Sequence, residues 1–85
     1  MRAEKPDTCY VASIAGAIGE LNLTVYRAPG GWRWLVHDTA TGSHTGDAAE
    51  SAEHAQRAAE QFAREHVPGN YAVQWTMAFV RHETS

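Results

Sequence analysis

Apolar and polar residues alternate most clearly between positions 21 and 37. Leu21, Leu23 and Val25 alternate with Asn22, Thr24 and Tyr26, and Trp32, Trp34 and Val36 alternate with Arg33, Leu35 and His37. A period of two is the signature of a strand with one buried face. Between the two runs stands Ala28-Pro29-Gly30-Gly31, with proline and glycine where a type II turn wants them. A turn over 28–31 sets Arg27 opposite Trp32, Val25 opposite Trp34 and Leu23 opposite Val36. Directly opposed residues share a face, so every large apolar residue of the hairpin except Tyr26 and Leu35 falls on one side. The other side carries Tyr26 against Arg33 and Asn22 against His37.

The remaining elements follow from the same kind of counting. Thr8–Ala15 reads as a strand, although Tyr10, Ile14, Ala17, Ile18 and Leu21 also fit helical spacing. Gly16 and Gly19 would each cost a helix about 1 kcal/mol, which favours a strand followed by a turn. Thr39-Ala40-Thr41-Gly42 predicts a second turn, and Ser43–Gly46 a short strand after it. Ser51 is the expected N-cap of a helix reaching about residue 66, with Glu53 in its first turn. The inward stripe of that helix is Ala52, Ala55, Ala59, Phe62 and Ala63. Its outer face pairs Glu53 with Arg57 and Glu60 with Arg64 at i,i+4. Val67-Pro68-Gly69-Asn70 stops it. Tyr71–Val80 predicts a last strand, with Tyr71, Val73, Trp75, Met77 and Phe79 on one face.

Together these elements predict an α+β fold: an antiparallel sheet of 4–5 strands with one alanine-rich helix, about 50–66, packed on one face. The chain reads as a single domain over 1–85, with 1–7 and 81–85 expected to be flexible. An alanine stripe supplies little volume, so the core is expected to draw on Trp32, Trp34, Trp75, Tyr71, Met77 and Phe62. Three buried tryptophans would remove roughly 600 Å² from water.

Composition narrows the function. With 44% apolar residues and a net charge of −3, the 85-residue chain is no disordered tail. Seven basic residues against ten acidic ones do not make a bulk-charge nucleic-acid module. One cysteine, Cys9, cannot pair within the chain and is expected to be a small buried hydrophobe; it fits a reducing cytosol. The longest apolar stretch, Tyr10 to Ile18, is far short of the roughly twenty residues of a membrane span. Its flanking Arg2, Glu4, Lys5 and Asp7 are of mixed sign, unlike a leader peptide. A cytoplasmic protein is therefore expected. Arginine and alanine richness suggests a bacterial or phage source.

Candidate chemistry is thin. Five histidines, His37, His44, His54, His66 and His82, show no zinc-ligand spacing. The best geometric cluster would be His37, His44 and Asp47, with solvated surface histidines as the simpler expectation. Neither a nucleophile elbow nor a phosphate loop is present. No catalytic residue, metal or cofactor is predicted. Charge is uneven, however. Residues 21–37 hold Arg27 and Arg33 with no acid, whereas residues 38–66 hold six acids against two arginines, a net of −4. Two candidate surfaces follow: an amphipathic patch of Tyr26, Arg33, Leu35 and His37 on the outer hairpin face, and an acidic helix face of Glu50, Glu53 and Glu60. Aromatic and arginine side chains are the types enriched at interface cores.

The Gly31-Trp32-Arg33-Trp34 strand, the threonine/glycine turn, the short strand and the alanine-rich helix over 48–63 also carry a resemblance. Across residues 21–66 the chain resembles small β-β-β-α domains. One such family is the arm-type DNA-binding domain of phage tyrosine recombinases; another is a set of bacterial domains with a tryptophan-rich hairpin. The first resemblance implies a sheet laid in the DNA major groove by basic strand residues. Here only Arg33 could serve, because Ser43-His44-Thr45-Gly46-Asp47 stands where such residues would be wanted. The leading expectation is therefore a non-catalytic protein-binding module. It would be an adaptor, or an inhibitor of the kind mobile elements encode against host machinery, anti-CRISPR proteins being one sort. Nucleic-acid binding through the outer hairpin face is the alternative, and a homo-oligomeric accessory protein, a homodimer for instance, is the third reading.

Overall fold

A computed structural model describes residues 7–16, 19–69 and 71–80. The expected flexible ends therefore lie, apart from Asp7, outside the described residues. The chain order is β1 (Asp7–Ala15), β2 (Glu20–Ala28), β3 (Gly31–Asp38), β4 (Ser43–Ala49), α1 (Ala52–His66) and β5 (Thr76–Val80). All five strands form one antiparallel sheet in the order β4-β3-β2-β1-β5, so β4 and β5 are its edges.

The β2–β3 hairpin has the register that its alternation dictates: Arg27 faces Trp32, Val25 faces Trp34 and Leu23 faces Val36. Gly30 adopts φ 86°, the left-handed conformation that the third position of a type II turn requires and that glycine takes without steric cost. Residues 8–15 resolve as strand, with Ile14 opposite Leu21 and Ala12 opposite Leu23. Glycines at 16 and 19 end the ladder, and the Gly16 amide donates to the Gly19 carbonyl at 2.6 Å. The strand begun at Ser43 runs on to Ala49, three residues beyond the expected Gly46. Ser51 caps α1, its hydroxyl accepting from the His54 amide at 3.2 Å.

α1 lies across β2, β3 and β4 with Ala55, Ala59 and Ala63 fully enclosed. The largest side chains with almost no exposure are Leu23, Val25 and Val36. This corrects the expected tryptophan core, because Trp32, Trp34 and Trp75 are each only half-buried. An alanine face brings the helix close to the sheet, which leaves no depth for an indole beneath it. The indoles line the rim instead: Trp34 tilts against Phe62 at 5.8 Å and Trp32 against Tyr10 at 6.3 Å between ring centroids.

The last strand is also shorter than its alternation suggests. Only Thr76–Val80 pairs with β1, from Asp7 to Val11. Residues 71–75 leave the sheet and run beside α1, with Tyr71, Val73 and Trp75 packed against the core. The polar tips of the two rings explain the departure. The Tyr71 hydroxyl donates to the Val67 carbonyl at 2.6 Å, the Trp75 Nε1–H donates to Glu60 Oε2 at 2.6 Å, and Arg64 donates to the Tyr71 carbonyl at 3.2 Å. A part-buried indole or phenol favours such a partner, and α1 with its C-cap Val67 supplies it where a neighbouring strand would not. Met77, expected in the core, is 57% exposed, because it sits on an edge strand that the helix does not reach. The Phe79 side chain lies outside the described residues.

Candidate functional site

Strand parity sorts the sheet into a covered and an open face. Tyr10, Ala12, Ile14, Leu21, Leu23, Val25, Trp34 and Val36 share the face under α1. On the other face the register sets Tyr26 beside Arg33, Thr24 beside Leu35 and Asn22 beside His37. Among the described residues, no helix packs on this second face.

The four hairpin residues of the candidate patch are thus brought together. Arg33 is exposed, and Tyr26, Leu35 and His37 are half-buried by their sheet neighbours. β1 widens the surface with Val11, 37% exposed, which pairs with Thr24 on β2. Cys9 shares the face yet is only 7% exposed, between Tyr26 on β2 and Ala78 on β5. On the far side of Leu35, β4 contributes Gly46. A Cβ built at Gly46 would fall against the Trp34 carbonyl oxygen, so β3 and β4 approach there as only glycine allows. Val11 and Gly46 were not legible as members of this surface. The face of β1 depends on resolving strand from helix at 8–15, and the role of Gly46 depends on a backbone distance.

The histidine cluster divides. His37 and His44 are directly opposed and stack with ring centroids 4.2 Å apart and planes 2° from parallel. Asp47 pairs with Trp34 and so belongs to the covered face. No group of three His, Cys, Asp or Glu side chains converges among the described residues. His82 lies outside the described residues.

The acidic helix face is partly engaged. Glu50 precedes α1 and approaches His54 at 3.7 Å. Glu53 is exposed. Glu60, seven residues on and so on the same side, accepts from Trp75 and pairs with Arg64 at 3.5 Å. Its carboxylate therefore fastens the 71–75 segment to the helix. A cleft of about 200 Å³ lies between the Gly16/Gly19 turn and the end of α1, with Glu20 and Asp38 among the residues that line it.

Compared with known proteins, the chain matches no family model, no curated protein and no solved structure. No helix among the described residues is long and apolar enough to cross a membrane.

Proposed function

We propose that this chain is a non-catalytic protein-binding module, an adaptor or inhibitor of a cytoplasmic protein, that docks through the open face of its sheet. One observation carries the reading: an amphipathic surface centred on Leu35, with Tyr26, Arg33, His37 and Val11 around it, is left uncovered by the helix. An aromatic ring, an arginine and aliphatic side chains on a rigid sheet are the ingredients of an interface core. Three titratable side chains are engaged in local structure: Glu60 accepts from Trp75, Asp38 accepts from the Ala40 amide, and the His54 ring meets the Ser51 hydroxyl at 3.3 Å.

A capture experiment tests this. The chain, Leu35→Asp and the helix-face control Arg57→Ala are each offered to bacterial lysate at physiological salt, with a photo-crosslinker at position 24 to mark the contact. A discrete protein crosslinked by the native chain and by Arg57→Ala, and lost with Leu35→Asp, supports the proposal. Absence of any crosslinked protein overturns it.

A second reading rests on the β4 edge. Its seven residues contain no lysine or proline, the usual guards of an unpaired strand, and all but Ala49 are exposed. A second copy adding its own β4 would extend the sheet. Light scattering at two concentrations separates this from docking on the face. Capture that is lost on nuclease treatment, falls steeply with salt and disappears with Arg33→Ala would instead assign the open face to nucleic acid.

A further inference from the structure

Residues directly opposed across an antiparallel pair hold their Cβ atoms about 4.5–5.5 Å apart. His37 and His44 occupy such a pair on β3 and β4, at the turn end of the hairpin. Their rings lie parallel, 4.2 Å between centroids. The turn that joins them is fastened to Asp38 by two hydrogen bonds. The Gly42 amide donates to the Asp38 carbonyl at 2.7 Å, and the Ala40 amide donates to Asp38 Oδ1 at 2.9 Å. The relative placement of the two Cβ atoms is therefore fixed by backbone structure, while the rings keep their side-chain torsions.

We propose that His37 and His44 form a two-imidazole chelate for a transition-metal dication such as Zn2+ or Cu2+. A metal ion bound at about 2.0–2.1 Å from each of two nitrogens holds those nitrogens roughly 3–4 Å apart. The stacked rings, 4.2 Å between centroids, bring the two side chains within reach of that spacing. Imidazole lone pairs lie in the ring planes, so the rings must turn out of the stack to share an ion. The rotation needed to converge their nitrogens is about the soft terminal torsion of histidine, whose wells are broad. Imidazole donors suit zinc, copper and nickel and do not suit the hard ions calcium and magnesium. His44 is exposed, so the coordination positions not filled by protein face water. Asp47 takes no part, being on the covered face. Protons compete for the same nitrogens, and acidification therefore releases the ion. The chelate is independent of the docking reading, since it needs no partner.

Calorimetric titration of the full chain with ZnCl2 and with CuCl2 tests the proposal. One ion per chain is expected. His37→Asn and His44→Asn should each weaken binding by about tenfold or more, because the second ligand's contribution as an intramolecular donor is lost. The double variant should lose little further, whereas His54→Asn should bind as the native chain does. On the unsubstituted chain, zinc should move the ring resonances of His37 and His44 and leave those of His54 and His66 in place. The proposal is overturned if no saturable binding is seen below about 1 mM. It is equally overturned if binding survives both single substitutions, or if the resonances that move are those of His54 or His66.

Discussion

One sheet presents two faces built from alternate residues of the same strands, and they have opposite characters. The covered face is aliphatic and dry: Leu23, Val25 and Val36 are almost wholly enclosed beneath the alanines of α1. The open face mixes Tyr26, Leu35 and Val11 with Arg33, His37, His44, Asn22 and Ser13; there Ser13 Oγ donates to Asn22 Oδ1 at 3.1 Å and His37 stacks on His44, while Arg33 is exposed. Stability is concentrated on the first face. The second can vary in side-chain chemistry without loss of fold, which is what a recognition surface requires.

Substitutions can break or sharpen that contrast. The largest effect is expected from Leu23→Ala, where a wholly enclosed side chain leaves a cavity; a loss of about 3 kcal/mol should appear in urea denaturation. Trp75→Phe keeps an aromatic ring but removes the Nε1–H that Glu60 accepts, together with part of the indole's volume. It should cost about 2 kcal/mol, and faster hydrogen exchange confined to residues 71–80 would show that the indole fastens this segment to the helix. Ser51→Ala removes the cap of the covering helix and should cost about 1 kcal/mol by the same denaturation measurement. Val11→Ser, on the open face, should shift stability by no more than about 0.5 kcal/mol. A loss for Val11→Ser as large as that for Leu23→Ala would mean that this face too is packed and is not a docking surface.

Much of this arrangement was legible in the residue order. The β2–β3 register follows from two runs of alternation joined by a four-residue turn, and the helix stripe follows from alanines at i, i+4 and i+8. Both are local patterns, and tertiary packing does not compete with them. The candidate patch was legible for the same reason, since Tyr26, Arg33, Leu35 and His37 are the off-phase positions of that hairpin. The 71–80 segment was not, because alternation shows which side chains point inward but not what the backbone bonds to. Tyr71, Val73 and Trp75 do turn toward the core, yet they do so beside a helix and not within the ladder.

The sequence by itself determined the α+β architecture, the strand register from Leu21 to Asp38 and the division of the hairpin into an apolar and an amphipathic face. These are consequences of side-chain period and turn chemistry, which act over a few residues. Only the tertiary structure decided how closely α1 approaches the sheet, and hence that aliphatic side chains fill the centre while the tryptophans stand at the rim. It also separated Asp47 from the two histidines and stacked His37 on His44, because a strand's parity across the β3–β4 pair, and not distance along the chain, sets which side chains share a surface.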